Sequence, residues 1–156
     1  MSNDDVIELN KKTFFSLQKA AHDNTTHLYH PETELYTQLF RKNLKLFCKW
    51  AFEGNIYSMK VYDKYYVLFE TYNLLVDIVR NKQAEEYLSI SRATLSRLKK
   101  DGILRILYVS KAKTSYLSFQ QISDPKIIRT VELRRRKGNR RGSVIPIDRL
   151  VYYNFK

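Results

Sequence analysis

The clearest hydrophobic pattern lies in residues 82–104, where helical spacing appears, breaks and resumes. Ala84, Tyr87 and Leu88 fall at i, i+3 and i+4 and mark one face of a short helix. Ser89-Ile90-Ser91 interrupts this spacing, and Ser91 has the side chain of an N-cap. A second helix is expected from about Arg92 to Lys100, with Leu95 and Leu98 inward, and Tyr87, Leu88, Leu95 and Leu98 read as core. Asp101-Gly102 closes it, because glycine accepts the left-handed conformation that often follows a helix. Residues 103–109 then read as a strand, 110–114 as a basic turn and 116–122 as a return strand. Ser123-Asp124-Pro125 opens a further helix through Ile127, Ile128 and Val131.

A related order precedes it. Leu35, Tyr36, Leu39 and Phe40 form one apolar face; Phe47, Trp50 and Ala51 form another after a polar break at Arg41-Lys42-Asn43, and Glu53-Gly54 ends the pattern. Residues 56–62 and 65–69 read as a hairpin around Asp63-Lys64, and 71–79 as a helix. An offset of 48 residues sets Gly54 under Gly102, Phe47 under Leu95 and Trp50 under Leu98, an internal repeat of two helices plus a hairpin. Residues 6–21 read either as a helix or as two short strands around 6–9 and 13–15, and 22–31 as a loop. The expected organisation is an N-terminal segment 1–32 packing on the body, a first unit 33–79, a second unit 80–133 and a basic extension 134–156.

Charge sharpens this picture. The 156 residues carry 28 Lys+Arg and 16 Asp+Glu, a net +12. Residues 80–150 hold 18 bases and 6 acids, which is +12, and the remainder holds 10 of each. An excess confined to one half is a field suited to a polyanion. Six of the eight residues from Arg134 to Arg141 are cationic, a density that repels itself unless phosphate neutralises it. Cys48 stands alone in an apolar run, so no disulfide framework exists and a reducing, cytoplasmic setting is expected. No apolar run approaches the roughly 20 residues of a membrane span, and the acidic start at Asp4 and Asp5 is unlike a signal peptide. His22, His27 and His30 read as solvated loop histidines rather than metal ligands, so neither a metal nor another cofactor is expected.

With these elements laid out, residues 84–95 together with Leu98-Lys99-Lys100-Asp101-Gly102 resemble the winged helix-turn-helix of MerR-type regulators and of excisionases. Two such units in one chain resemble the TraN-type regulators of Gram-positive conjugative elements. The resemblance implies a mainly α fold with small β-hairpins (α+β), as two tandem winged helix-turn-helix units packed as an internal pseudo-dimer. It also implies that the second helix enters a DNA major groove. On that basis Arg92, Thr94 and Arg97 would meet base edges, while Ser91, Lys99, Lys100, Lys111 and Lys113 would meet the DNA backbone. Arg134, Arg135, Arg136, Arg140 and Arg141 join the backbone set through the density of the basic tract. The first unit offers Lys42, Lys45, Lys49 and Lys64, although Leu44 and Leu46 would be poor groove residues.

The expected function is therefore sequence-specific binding of double-stranded DNA, as a transcriptional regulator or transfer-origin accessory factor of a mobile element. A monomer with an internal repeat is expected, with no small-molecule substrate. One alternative is a strand-transfer or nicking enzyme using Tyr152 or Tyr153, but no metal motif or spaced Arg/His pair accompanies those tyrosines, so no enzyme is expected. The other is a protein-interaction adaptor with a vestigial helix-turn-helix, against which the localised charge argues.

Overall fold

A computed structural model describes residues 5–139, with side chains described through Arg134. The chain is α+β. Its elements are β1 (Val6–Leu9), β2 (Lys12–Ser16), α1 (Leu17–Thr25), α2 (Glu34–Glu53), β3 (Met59–Val61), β4 (Lys64–Leu68), α3 (Phe69–Asp77), β5 (Ile78–Val79), α4 (Asn81–Leu88), α5 (Arg92–Lys100), β6 (Tyr108–Val109), β7 (Ser115–Ser118), α6 (Phe119–Ile122) and α7 (Pro125–Asn139). They divide into a first unit, Met1–Ile78 with Val109–Thr114, and a second, Val79–Tyr108 with Ser115–Lys156.

In the first unit the sheet order is β1-β2-β4-β3, and every neighbouring pair is antiparallel. Of the two expectations for residues 6–21, the strands form, and a helix follows them. Ser16 makes the switch: its hydroxyl accepts the Lys19 backbone N–H as an N-cap and donates to buried Asp5 at 2.7 Å. Residues 5–32 are thus part of the first unit, to which they contribute β1, β2 and α1. His22 belongs to α1, not to a loop, and its ring bonds the Tyr36 hydroxyl.

The expected break at Arg41-Lys42-Asn43 does not occur. Residues 34–53 form one helix capped by Thr33, whose side chain accepts the Tyr36 N–H, and closed by Gly54 at φ +76°. No glycine or proline lies inside it, and polarity alone does not stop a helix. Asn43, which suggested a break, is buried and donates to Asn24 Oδ1 (2.9 Å) and Thr25 Oγ1 (3.0 Å). Asn24 in turn donates to the carbonyls of Leu75 (2.8 Å) and Ile78 (2.7 Å). This amide pair ties α1, α2 and the end of α3 together in a unit whose buried side chains include Leu17, Phe47, Trp50, Val67 and Leu75.

The second unit packs Val79, Ala84, Leu88, Leu95, Leu98, Leu104, Leu117, Ile122 and Val131 into one cluster, against a sheet of order β5-β7-β6. Leu88, Leu95 and Leu98 are core as expected, whereas Tyr87 is exposed at one edge with its ring against Phe119. The strand expected at 103–109 shrinks to Tyr108–Val109. Ile103 and Leu104 give their N–H groups back to the Leu98 carbonyl, and the Gln121 side-chain amide clips the Arg105 backbone by two hydrogen bonds. The return strand stops at Ser118, whose hydroxyl accepts the Gln121 N–H and starts α6. The expected 71–79 helix likewise starts earlier, at Phe69, and ends at Asp77, leaving Ile78–Val79 extended as β5.

The two units share an order of parts. In each, a strand precedes two helices, a hairpin follows, and the second hairpin strand pairs with the strand that came first: β2-β4-β3 in one, β5-β7-β6 in the other. Gly54 and Gly102, 48 residues apart, both lie in the left-handed region, and the residue after each donates to the equivalent carbonyl, Asn55 to Trp50 and Ile103 to Leu98.

Replacing Asn24 by alanine removes one of the two acceptors of the buried Asn43 amide and the side-chain donor to the Leu75, Val76 and Ile78 carbonyls. Asn24→Ala is expected to lower the unfolding free energy by about 2–4 kcal/mol in urea titration. A second expectation concerns alkaline pH. Burial, and then the hydroxyl's bond to Asp23, push Tyr72 well above its ordinary value of 10.0. The unfolded tyrosine ionises first, so stability holds below that value and falls as pH rises above it. Tyr72→Phe should flatten this decline when thermal melts are compared across the alkaline range.

Candidate nucleic-acid interface

The α4–α5 corner is set by local chemistry. Ser89 ends α4 in the left-handed conformation, and Ile90 donates back to the Glu85 carbonyl. Ser91 then caps α5: its hydroxyl accepts the Thr94 N–H at 3.1 Å and pairs with the Thr94 hydroxyl at 3.0 Å. The expected helix bounds and cap are those observed.

Burial of Leu95 and Leu98 decides which residues of α5 face outward. At 100° per residue, Ala93, Ser96, Arg97 and Lys100 lie opposite those leucines, and all four are exposed. Arg92 is exposed at one flank; Thr94 is half-buried at the other, its hydroxyl engaged with the cap. Ser96 therefore belongs to the outward surface beside Ala93, a place its offset from the two leucines already indicated. No acidic residue lies in α5. The resulting face is small at its middle and cationic around it, a shape that a major groove admits and a chemistry that suits guanine edges and phosphates.

Several expected backbone residues have other occupations. Lys99 is half-buried, donates to Asn81 Oδ1 at 2.5 Å and reaches Ser115 Oγ at 3.5 Å; burial lowers its pKa, with Glu85 opposing. Its ammonium holds α5 to the start of α4 and to β7, which removes it from the outward set. Lys111 and Lys113 lie in Val109–Thr114, which groups with the first unit. The Lys111 ammonium donates to the Glu53 carbonyl at 3.0 Å, where it also meets the negative end of α2, while Lys113 is exposed at a positive φ.

Arg134 lies on α7 and pairs with Asp101, next to the end of α5. The basic tract therefore begins on a helix: the backbones of Arg135 and Arg136 continue α7, and Arg140, Arg141, Tyr152 and Tyr153 lie outside the described residues. Exposed cations not singled out beforehand are Lys82, Arg105, Lys126 and Arg129, all in the second unit.

In the first unit Lys42, Lys45, Lys49 and Lys64 are exposed as well. Leu44 and Leu46 are half-buried flanks of α2, so they do not occupy its outer face. Among the described residues no group of three or more His, Cys, Asp or Glu side chains is placed to hold a metal ion, and no helix is long and apolar enough to cross a membrane. Comparison of the chain with protein-family models, curated proteins and solved structures finds no match.

The different placement of two adjacent lysines makes a direct test. Lys99→Ala is expected to destabilise the fold by about 1 kcal/mol through loss of a partly exposed charged hydrogen bond. Lys100→Ala should leave the denaturant midpoint unchanged.

Proposed function

We propose that the chain is a sequence-specific double-stranded DNA-binding protein, built as two tandem winged helix-turn-helix units, with α5 as a major-groove reading helix. The observation that carries this reading is the outer face of α5, on which Arg92, Ser96, Arg97 and Lys100 stand exposed around Ala93 with no acid among them. The helix is rigidly presented: Ser91 caps it, Leu95 and Leu98 anchor it and Lys99 fastens it to α4 and β7. Arginine at such a position can bridge guanine O6 and N7, while Lys100 serves as a phosphate contact.

The matching strand orders and helix ends of the two units support the tandem reading, and the +12 in residues 80–150 supports a polyanionic partner. The resemblance of residues 84–102 to MerR-type and excisionase sequences favours work as a transcriptional regulator, or as an accessory factor at a transfer origin of a mobile element. Binding as a monomer to a non-palindromic site follows from an internal repeat.

Selection of binding sites from a random duplex library, followed by fluorescence anisotropy, tests this. Arg97→Ala should weaken the selected site by about 1–3 kcal/mol and relax preference at one base pair. Lys100→Ala should weaken all duplexes alike and reduce the salt slope by about one unit. An Arg97→Ala protein with unchanged affinity and preference would overturn the docking of α5.

A further inference from the structure

The outer surface of the first unit differs in chemistry from α5. Along α2, Gln38, Arg41, Lys42, Lys45, Lys49 and Phe52 fall within an arc of about 100°, and all six are exposed. The buried residues Leu39, Asn43, Phe47, Trp50 and Ala51 occupy the opposite side. Acids stand only at the two ends of the helix, at Glu34 and Glu53. Residues 41–64 hold six bases (Arg41, Lys42, Lys45, Lys49, Lys60, Lys64) against two acids (Glu53, Asp63), a local +4 inside a part of the chain whose total charge is zero.

Exposed aromatic rings are concentrated in the same segment. Phe52 is 81% exposed at the end of the basic stripe, Tyr57 75% and Tyr62 95%. None of the three belongs to the core, so packing does not account for them. Tyr62 also sits at the hairpin tip with φ +55°, a conformation that glycine would take without strain. A bulky ring held there stands free in water. Nearby cations complete the pattern: Lys60 lies 5.6 Å from the Tyr65 ring centre, and the Lys111 ammonium rests on the Glu53 carbonyl, one residue from Phe52.

We propose that the exposed cations and rings of residues 38–64, on the outer face of α2 and at the β3–β4 hairpin tip, bind single-stranded DNA. Exposed rings stack on bases whatever their identity, and lysines, as point charges, follow the phosphates. A duplex hides the faces of its bases inside its own stack, so rings at the surface gain nothing from it, whereas an opened strand offers both faces. The choice of DNA over RNA rests on the duplex-binding reading of α5; the stacking chemistry does not.

The test uses the whole chain and fluorescein-labelled oligo(dT) of about 16 nucleotides, with a duplex of the same length and oligo(rU) as parallel arms in fluorescence anisotropy. Tyr62 is changed to glycine because that φ suits it, and circular dichroism checks the fold. The triple variant Phe52→Ala, Tyr57→Ala, Tyr62→Gly is expected to weaken oligo(dT) binding at least about tenfold while leaving duplex binding within about twofold. The variant Phe52→Tyr, Tyr57→Phe keeps the rings and should bind oligo(dT) as the parent does. Unchanged oligo(dT) binding in the triple variant, an equal loss on duplex, no oligo(dT) binding by the parent, or tighter binding of oligo(rU) would each overturn the proposal. Failure of duplex binding with the oligo(dT) results intact would overturn only the reading of α5.

Discussion

Leu95 and Leu98 each lose nearly all their exposure in the second unit's core, and this burial fixes the rotation of α5. Once those two side chains point inward, the helical repeat leaves no choice about which residues meet water, and Arg97 and Lys100 must point away from the protein. The same constraint acts on α2, where Phe47, Trp50 and Asn43 face the interior and turn the lysine stripe outward. Each outer surface thus follows from apolar burial on the other side of its helix. The polar details then stiffen the arrangement: an N-cap at one end, a left-handed glycine near the other, and for α5 a lysine that crosses to Asn81 and Ser115.

Net charge and usable charge are different quantities in this molecule. Of the cations expected to face a partner, Lys99 is committed to its own unit, Lys111 closes the end of α2, and Arg134 pairs with Asp101. On α5 itself the cations left exposed are Arg92, Arg97 and Lys100. A first unit of nearly balanced charge, by contrast, carries a concentrated basic stripe, because the acids of α2 stand only at its two ends, Glu34 and Glu53. The sum over a segment hides this; the angular distribution around one helix reveals it.

The accuracy of the sequence reading followed the range of the interactions involved. The cap and bounds of α5 were legible to the residue because Ser91, the leucine spacing and Gly102 act over a few positions, whereas Tyr87, placed in the core by the same spacing, is exposed. The single helix at residues 34–53 was not legible, because Asn43 looks like a breaker until Asn24 and Thr25 arrive to satisfy its amide. Strand lengths failed for a related reason: Gln121 competes for the Arg105 backbone from 16 positions away, and Ser118 diverts the chain into α6. Among the candidate residues, exposure of Arg92, Arg97 and Lys100 could be inferred from periodicity. The internal duties of Lys99 and Lys111 could not, since each depends on a partner distant in sequence.

By itself the sequence determined the local turns, the caps and the inward leucines, which depend on neighbours within about one or two helical turns, and the confinement of excess charge to residues 80–150, which is composition alone. Tertiary structure alone decided that β2 pairs with β4, that the N-terminal residues complete the first unit, and that α2 runs unbroken. It also decided which cations remain outward. These outcomes depend on groups brought together from distant positions, where a buried amide must find its partner and a strand must find its edge, and no local pattern encodes the meeting.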